Sequence, residues 1–447
     1  MTMREKILYS LGSFAASLPA QAVSAFLLFF YVDQLKMPPA LYGYGMTIYA
    51  IWNAINDPLA GQISDNTRSR WGRRIPYIRF LTIPLAIAFT LIWTPPFATA
   101  VGHETGMFIY FLTVLFFFDG FYTFVILNWT ALFPEMYPSL AERAQVSAWR
   151  QALGIVGSII GVSLPPMIYP VIGWAGMGIV FAVLTALTLF LSLLGSRENP
   201  AFAEAQGLNV VAALRASLAN PSFLTLVLAS FLWQFTFGIL LAVIPFYAKY
   251  VLHIAGFAQT LLTGIIFLVS IPMVFVWNRI TVQKGARSTI MVAAALFALT
   301  LVPLGLTSTL LAAYGFAVLV GAALAGLILL IDVLIADVVD EDEVRTGRRR
   351  EGMYFGINGF MVRLSIAFQG LIISQVMNRT GYNANLAVQP PSALVGFRIL
   401  MTGVPVIAIA LSLVLMAFYP LHGSRLAKVR ETLAARRPET ENQAPPA

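Results

Sequence analysis

The sequence predicts an all-α membrane protein with twelve transmembrane helices arranged in two bundles of six. Of its 447 residues, 59% are hydrophobic and only 11% are charged, and the mean hydropathy is +0.80. Soluble domains carry about 25% charged residues, so this chain lacks the polar surface that a water-soluble body of its size needs. Its apolar runs are also too many and too long for a soluble core, because a run of about 20 apolar residues already spans a bilayer as a helix.

Twelve such spans follow one another along the chain. They cover approximately residues 8–33, 40–63, 80–98, 106–134, 150–170, 173–195, 221–248, 257–280, 289–308, 312–336, 352–377 and 394–420. Residues 4–22 imitate a secretory signal peptide, with two basic residues, an apolar run and "AQA". The apolar run continues through "VSAFLLFFYV", so we predict an uncleaved first span.

The longest polar break divides the spans six and six. We therefore predict an N-terminal six-helix bundle over residues 1–196, a cytoplasmic central loop over 197–220, a C-terminal six-helix bundle over 221–421 and a disordered cytoplasmic tail over 422–447. Each half carries a basic loop after its second span, "NTRSRWGRR" and "NRITVQKGARS". Two weakly similar halves are typical of secondary transporters with alternating access.

The basic residues lie mostly on one side of the predicted topology. With the N-terminus in the cytoplasm, 23 of the 28 Lys and Arg residues fall in cytoplasmic segments and four in the opposite loops. This asymmetry follows the positive-inside rule. It predicts a multi-pass protein of the plasma (inner) membrane with both termini cytoplasmic. The net charge of +8 is thus explained by topology, and we expect lipid, a small-molecule substrate, no nucleic acid and a monomer.

No pattern in the sequence indicates an enzyme. There is no cysteine, and the three histidines are scattered at residues 103, 253 and 422. No zinc pattern, phosphate-binding glycine loop, dinucleotide fingerprint or nucleophile-and-base pair is present. We therefore predict no catalytic residue, no cofactor, and no metal beyond a Na⁺ that Asp57 could hold if the coupling ion is not H⁺.

Asp57 lies inside the second predicted span, where a charge costs roughly 2.5–3.5 kcal/mol on insertion scales. Asn53 is one turn earlier, Asn56 is adjacent, and Pro58 frees backbone carbonyls nearby. These oxygens predict a site for a proton or a small hard cation. The alternative is that Asp57 caps or pairs with a neighbouring helix. Asp119 and Asp332 are also inside spans, without an assigned role.

Arg363 lies about three turns inside the eleventh span and cannot lose its charge. It needs an acid or a water-filled cavity, and we predict Asp57 as its partner. Snorkelling to a head group is the alternative. Asp33 and Asp337 lie at span ends, where solvation is easy, so a structural role is favoured for both.

Aromatic residues beside amides predict a sugar-binding surface, because a sugar ring offers C–H faces and a rim of hydroxyls. The predicted substrate contacts are Gln21, Trp52, Asn128, Trp129 and Asn358. Packing or anchoring at the membrane interface is the alternative for each aromatic residue.

Three motifs resemble those of the glycoside–pentoside–hexuronide:cation symporters, the melibiose-permease-like branch of the major facilitator superfamily. They are "AINDPLAGQISDNTRSRWGRRIPYI", "ALFPEM" and "IADVVDEDEVRTGRRREGMYFGINGFMVR", and the resemblance covers essentially all twelve spans. It implies the major facilitator fold, with two six-helix bundles around a central cavity, and symport of a sugar or glycoside with a cation.

The resemblance also identifies departures from the family pattern. Where the family often has two acids in its second span, this chain has Asn53 and Asp57. Ser17 stands in place of a sugar-contacting acid in the first span, and Arg363 corresponds to a lysine near the cation and sugar sites. The resemblance therefore implies that both are substrate contacts as well. Fewer carboxylates imply H⁺ rather than Na⁺ as the coupling ion. The alternatives are a carrier of lysophospholipids or other amphiphiles, and a non-transporting membrane sensor or structural protein.

The two basic loops predict a cytoplasmic gate. In the first half, arginines would pair with acids at helix ends, and the residues are Arg70, Arg73, Arg74, Asp65, Glu135 and Glu142. In the second half the residues are Arg348, Arg349 and Arg350, with Asp340, Glu341 or Glu343 as partners. Exposed ion pairs contribute about 0–1 kcal/mol each, so a network could bias two conformations. A role in topology alone is the alternative.

Overall fold

The computed structural model describes residues 2–137, 139–198, 220–347 and 350–436, and these residues contain helices and no β-strand. The helices are α1 (Met3–Gln34), α2 (Pro39–Asn66), α3 (Ile75–Ile92), α4 (Glu104–Met136), α5 (Leu140–Ser163), α6 (Pro165–Leu194), α7 (Pro221–Val251), α8 (Phe257–Lys284), α9 (Ala286–Leu306), α10 (Leu310–Thr346), α11 (Glu351–Arg379), α12 (Pro391–Ala417) and α13 (Gly423–Arg436). Helices α1, α7 and α12 include a π-helical turn, over Phe29–Gln34, Tyr247–Val251 and Ile399–Gly403.

Helices α1 to α12 follow the twelve predicted spans in order. Within the described residues, ten are long and apolar enough to cross a membrane. The other two, α2 and α5, have 28 and 24 residues and are long enough to cross, but their sequences are more polar. The prediction of an all-α membrane fold is therefore confirmed, and the predicted count of twelve is consistent with it.

Two helices begin earlier than hydrophobicity alone predicts. Helix α5 starts in a polar segment, where the Ser139 side chain accepts a hydrogen bond from the Glu142 backbone N–H. This is an N-cap, which satisfies one of the unpaired backbone N–H groups of the first helical turn. The helix can therefore begin in a polar segment. Helix α6 starts at Pro165, a residue suited to the first helical turn. It is kinked at Gly173, whose φ of 75° is left-handed.

By residue contacts the chain divides into two compact units. The first comprises Met1–Gln206 with Gly238–Gly264 and Ile366–Met401, and the second comprises Gly207–Phe237 with Ile265–Ser365 and Thr402–Ala447. This grouping differs from a division between the sixth and seventh spans, so the two six-helix bundles stay a prediction. Residues 199–219, which hold most of the predicted central loop, lie outside the described part.

In the first unit, α1 packs on α5 and α6, α3 packs on α4 and α6, and α2 packs on α4. The α1–α5 contact depends on small residues. A Cβ placed on Gly157 would lie 2.7 Å from the Phe14 carbonyl oxygen, and one on Gly161 would lie 2.5 Å from the Leu18 carbonyl oxygen. Glycines at this spacing let two membrane helices approach closely.

In the second unit, α9 packs on α10 and α12, and α10 contacts α13. Helix α13 differs from the disordered tail that the polar, proline-rich sequence predicts. Its Arg425 lies 2.6 Å from Glu341 and its Arg430 lies 3.0 Å from Asp337, both on α10. These ion pairs tie residues 423–436 to a long helix, which composition alone does not reveal. Residues 437–447 lie outside the described part.

Candidate functional site

Helix α2 presents two different faces within the first unit. Ile51 and Ile55 are 60% and 57% exposed, as suits side chains beside lipid or another apolar surface. Asn53 and Asn56 lie on another face and are buried. Because α2 packs on α4, the amides must find their hydrogen-bond partners on that helix, since lipid offers none.

The partner of both amides is Asp119 of α4. Asn53 Nδ2 donates to Asp119 Oδ1, and Asn56 Nδ2 donates to Asp119 Oδ2 at 3.0 Å. Asn56 Nδ2 also reaches the Asp119 carbonyl oxygen at 3.1 Å. The Tyr49 hydroxyl donates to Asp119 Oδ1 at 3.0 Å. Asp119 is 4% exposed, so its carboxylate is the centre of a buried polar cluster that joins α2 to α4.

Asp57 of α2 contacts a different residue of α4. The Thr123 hydroxyl donates to Asp57 Oδ1 at 3.0 Å, one turn along α4 from Asp119. Of the three residues predicted as one cation site, Asn53 and Asn56 therefore contact Asp119, whereas Asp57 contacts Thr123. The sequence did mark Asp119 as an acid inside a span, but nothing in it indicated which side of α4 faces α2.

The groups around Asp119 are donors that stabilise its carboxylate as an anion. Asp119 receives two amide N–H groups and a hydroxyl, and no Lys, Arg or His side chain forms an ion pair with it in the described chain. Cations such as Na⁺ require oxygens, whereas Asn53 and Asn56 direct nitrogen at the carboxylate. The predicted cation site of Asp57, Asn53 and Asn56 stays a prediction. In the described residues no group of three or more His, Cys, Asp or Glu is placed to hold a metal ion.

Three predicted substrate contacts of the first unit are partly buried. Trp52 stacks on Phe116, with ring centroids 5.1 Å apart. Gln21 Oε1 is buried and has no hydrogen-bond partner among the described residues. Ser17 and Gln21 both lie against glycines of α5, within 3.1–3.4 Å of the Cβ positions built on Gly154 and Gly161. These three residues stay predicted contacts.

The other two predicted contacts of this unit are engaged in packing. Trp129 is 2% exposed, stacks on Tyr9 at 5.2 Å and donates its N–H to Ser192 Oγ at 3.0 Å. The guanidinium of Arg150 lies 4.6 Å from its ring centroid. Asn128 is fully buried and donates to the Phe124 carbonyl oxygen of its own helix at 2.8 Å. These contacts favour a structural role for Trp129, whereas the buried Asn128 Oδ1 has no hydrogen-bond partner among the described residues, and both stay predicted contacts.

Asn358 and Arg363 lie on α11, in the part of that helix that belongs to the second unit. Asn358 Oδ1 has no hydrogen-bond partner among the described residues. A Cβ placed on Gly359 would lie 3.0 Å from Arg363 Nη1, so the guanidinium folds back over this glycine, one turn earlier on the helix. The predicted pairing of Arg363 with Asp57 stays a prediction.

The basic loop between α2 and α3 forms a compact ionic cluster. Arg73 Nη2 and Arg74 Nε lie 2.8 and 2.9 Å from the same oxygen of Glu135, at the end of α4. Arg74 also pairs with Asp65 at 3.3 Å. Glu198 accepts the backbone N–H groups of Arg73 and Arg74 at 2.8 and 3.1 Å. The predicted contact of both arginines with Glu135 is therefore present, and its use as a gate stays a prediction.

Two residues predicted for this cluster lie elsewhere. The guanidinium of Arg70 lies 4.0 Å from the Trp71 ring centroid, and no ion pair is formed by Arg70 within the described residues. Glu142 pairs with Lys6 of α1 at 3.0 Å. The loop turns Arg73 and Arg74 inward and leaves Arg70 exposed, whereas Glu142 lies in the first turn of α5, beside Lys6.

The acidic end of α10 carries the corresponding contacts of the second unit. Arg350 Nε donates to Asp342 Oδ2 at 2.8 Å, whereas the sequence predicted Asp340, Glu341 or Glu343. Glu341 is instead paired with Arg425. Arg350 and Asp342 are eight residues apart across the α10–α11 turn, which brings them together without a long-range fold. Arg348 and Arg349 lie outside the described residues.

Known proteins similar to this chain are membrane transporters. The isoprimeverose transporter of Lactiplantibacillus pentosus is 26% identical over 93% of this chain and 88% of its own length. A putative sulfoquinovose importer of Salmonella typhimurium is 27% identical over 99% and 95%. A sodium-dependent lysophosphatidylcholine symporter of Danio rerio is 22% identical over 95% and 87%.

Solved structures and a family model agree with these relatives. The crystal structure of a D-xylose–proton symporter has a TM-score of 0.67 and 15% identity, and the match covers 92% of this chain and 96% of that one. At this identity the likeness shows the fold alone. A model of the family described as MFS/sugar transport protein matches residues 8–423. The chain therefore belongs to the MFS/sugar transport protein family and is a multi-pass membrane transporter of the major facilitator fold, not an enzyme.

Proposed function

We propose that this protein is a secondary transporter that moves a sugar or glycoside across the plasma (inner) membrane together with a proton. Both termini lie in the cytoplasm in this proposal. The observation that carries it is the polar cluster between α2 and α4. Asp119 of α4 is hydrogen-bonded to α2, and one turn along α4 Thr123 donates to Asp57. Buried acids inside membrane helices mark ion or proton pathways, because their insertion is otherwise costly.

A proton is favoured over Na⁺ by the groups that surround the carboxylates. The hydrogen bonds at Asp119 come from N–H and O–H donors, and Asp57 accepts from the Thr123 hydroxyl. A bound Na⁺ would need several of these groups to turn their oxygens inward. A proton needs only one carboxylate oxygen. Asp57 is the proposed coupling residue, and its protonation would favour substrate binding and the conformational change that follows.

The carbohydrate substrate is supported by the relatives and by the surface near α2. The names of the similar proteins include isoprimeverose and sulfoquinovose. Trp52 offers a partly exposed indole ring, and Gln21 of α1 has a buried amide oxygen without a partner in the described chain. An aromatic surface with a few polar atoms suits a sugar ring.

Uptake into proteoliposomes tests the proposal. The purified full chain would be reconstituted and supplied in turn with isoprimeverose, sulfoquinovose and lysophosphatidylcholine, each radiolabelled, with the same sugar or lipid inside to permit exchange. We expect saturable exchange of at least one of the two sugars. Exchange of lysophosphatidylcholine alone would support the amphiphile carrier instead, as the Danio rerio relative suggests. No exchange of any probe would contradict transport of these classes and favour a sensor.

A further inference from the structure

We propose that Asp119 is a second proton-carrying carboxylate, and that the Asn53 amide reverses its hydrogen bond when Asp119 is protonated. This inference rests on the proposed function, since it names a residue that would couple protons to transport. It arises from the contacts of Asp119 with α2, and it gives Asn53 a role different from that of a cation ligand.

The surroundings of Asp119 favour exchange of a proton. Its side chain is 4% exposed and receives only neutral donors from Tyr49, Asn53 and Asn56. A buried carboxylate is stable as an anion when donors surround it, and binding a proton removes the cost of its charge. A salt-bridged carboxylate would be held in the ionised form, but the described residues contain no cationic side chain paired with Asp119.

Asn53 supplies the second, independent observation. Its Oδ1 is buried and has no hydrogen-bond partner among the described residues, while its Nδ2 donates to Asp119 Oδ1. The residue as a whole is 7% exposed. An unpaired buried carbonyl oxygen costs free energy, and a state in which it gains a donor is relieved of that cost. A protonated Asp119 is such a donor.

The proposed step is balanced by one proton. Asp119 takes up H⁺ on Oδ1 and becomes a neutral carboxylic acid. The Asn53 amide turns by about 180° about its terminal bond, gives up its N–H bonds to Asp119 Oδ1 and to the Tyr49 hydroxyl, and accepts the new O–H bond at Oδ1. The freed Nδ2 points away from the acid. Deprotonation reverses both changes, and no bond other than O–H is made or broken.

Protonation of Asp119 would weaken the contact between α2 and α4. Asn56 donates to both the side chain and the carbonyl oxygen of Asp119, and Thr123 of the same helix donates to Asp57. Protonation weakens the acceptor at Asp119 and so loosens one of the polar contacts between the two helices. Protonation of Asp57 would act on the next turn, so the two carboxylates bias the same helix pair.

Other titratable groups face this cluster. Tyr49 and Asp57 lie on α2, and Tyr122 lies on α4 next to the cluster and donates to the Ala16 carbonyl oxygen of α1. Helix α3, which also packs on α4, carries Tyr77, whose ring stacks on Phe124 at 5.3 Å. Asp57 is the carboxylate that contacts α4 one turn along from Asp119, through Thr123, so its variant must be measured beside that of Asp119.

Infrared difference spectroscopy detects the proposed proton without a substrate. The purified full chain in nanodiscs would be cycled between acidic and alkaline buffer, in Na⁺-free medium and again with NaCl. The proteins compared are the wild type, Asp119→Asn, Asp57→Asn and Asn53→Leu. The control is Glu104→Gln, the same chemical change at the exposed start of α4. Thermal unfolding of each variant shows whether it is folded.

We expect a carboxylic-acid carbonyl band in the wild type that Asp119→Asn lacks and that Asp57→Asn and Glu104→Gln retain. In Asn53→Leu the band should persist but shift in frequency and in midpoint pH, because the acceptor is gone. That variant keeps the proposal testable if Asp119→Asn does not fold. A wild-type spectrum unchanged in Asp119→Asn would overturn the proposal, as would a band that NaCl abolishes, which would indicate Na⁺ in place of the proton.

Sugar uptake separates this inference from the proposed function. Coupling between sites typically changes affinity about 5–150-fold, so Asp119→Asn should lower pH-driven accumulation at least about fivefold while equilibrium exchange changes less than about twofold. Full pH-driven accumulation in Asp119→Asn would overturn the role of Asp119 and leave symport intact. An Asp119 band in a wild type that transports no sugar would support the proton site and contradict the proposed function.

Discussion

Lys249 Nζ lies 2.6 Å from Asp33 Oδ2, although the two residues are 216 positions apart in the chain. Asp33 has no exposed surface, whereas the Lys249 side chain is 41% exposed. The hydroxyls of Tyr250 and Tyr382 also donate to Asp33 Oδ1. Burial and the charge of Asp33 raise the pKa of Tyr382 well above its usual value, so this hydroxyl stays a donor at physiological pH. The contact holds the end of α1 to the π-helical turn of α7 and to the loop after α11.

Loss of the Asp33 charge is expected to destabilise the protein. Removing one partner of a buried, hydrogen-bonded pair leaves the other donors unsatisfied. Since Lys249 is half exposed, we expect Asp33→Asn to cost about 2 kcal/mol, measured by thermal or denaturant unfolding in detergent. Asp65→Asn is the matched control, because its pair with Arg74 is 58% exposed on the acid side and should contribute less than about 1 kcal/mol. Equal stability of wild type and Asp33→Asn would show that this contact is not structural.

Because Arg73 and Arg74 share Glu135, loss of the Glu135 charge should lower the free energy of unfolding more than loss of the Asp33 charge. Arg73 and Glu135 side chains are only 8% and 5% exposed. In Glu135→Gln, both guanidinium groups keep their charge and lose the carboxylate charge that they share, so we expect a loss of about 3 kcal/mol in unfolding experiments. Glu142→Gln, which affects a more exposed pair with Lys6, should cost less than about 1 kcal/mol. A smaller loss in Glu135→Gln than in Glu142→Gln would contradict this order.

The α1–α5 contact predicts strict size limits at Gly161. A Cβ there would lie 2.5 Å from the Leu18 carbonyl oxygen, which is backbone and cannot turn aside. Gly161→Ala should therefore destabilise the protein by about 1–3 kcal/mol, as overpacking does. Gly61→Ala is the control, because no atom lies within 4 Å of its built Cβ, and alanine favours helix there by up to about 1 kcal/mol. Thermal unfolding of the two variants should give shifts of opposite sign.

The distribution of basic residues predicts the topology. Because the chain contains no cysteine, single cysteines can be introduced at Ala205, Thr440 and Val101. In intact cells, a maleimide that does not cross the membrane should label the cysteine at Val101, in the α3–α4 loop, and leave the other two unlabelled. Permeabilised cells should label all three. Labelling of the cysteine at Ala205 or Thr440 in intact cells would place that segment outside and contradict cytoplasmic termini.

The positions of the helices could be predicted from the sequence far better than the side-chain contacts between them. Apolar runs indicate where a chain crosses the membrane, and each of α1 to α12 follows one such run. The direction in which a polar side chain points is different, because it depends on the rotation of two packed helices. Asn53 and Asn56 were assigned to Asp57 by proximity in sequence, but both reach Asp119, 66 and 63 residues away.

Charges at helix ends show the same limit. The cluster of Arg73 and Arg74 with Glu135 was predicted, since loop arginines and helix-end acids were few and near. Asp33 was expected to be solvated at the end of its span, yet it is buried against Lys249. Helix α13 was missed because its ion pairs to α10 depend on acids about 90 residues away. In each case the missing information is a long-range contact, which composition and periodicity do not contain.

Imposed ion gradients give the sharpest test of proton-coupled sugar transport. Proteoliposomes would be loaded so that a pH gradient or a Na⁺ gradient alone drives uptake of the sugar that shows exchange, isoprimeverose or sulfoquinovose. One pH unit is worth about 1.4 kcal/mol per proton, so sugar should accumulate about tenfold in Na⁺-free medium if Asp57 alone carries a coupled proton, and about a hundredfold if Asp119 carries a second one. A protonophore should abolish this, and Asp57→Asn should retain exchange without accumulation. Accumulation that depends on a Na⁺ gradient and is unaffected by the protonophore would contradict the account.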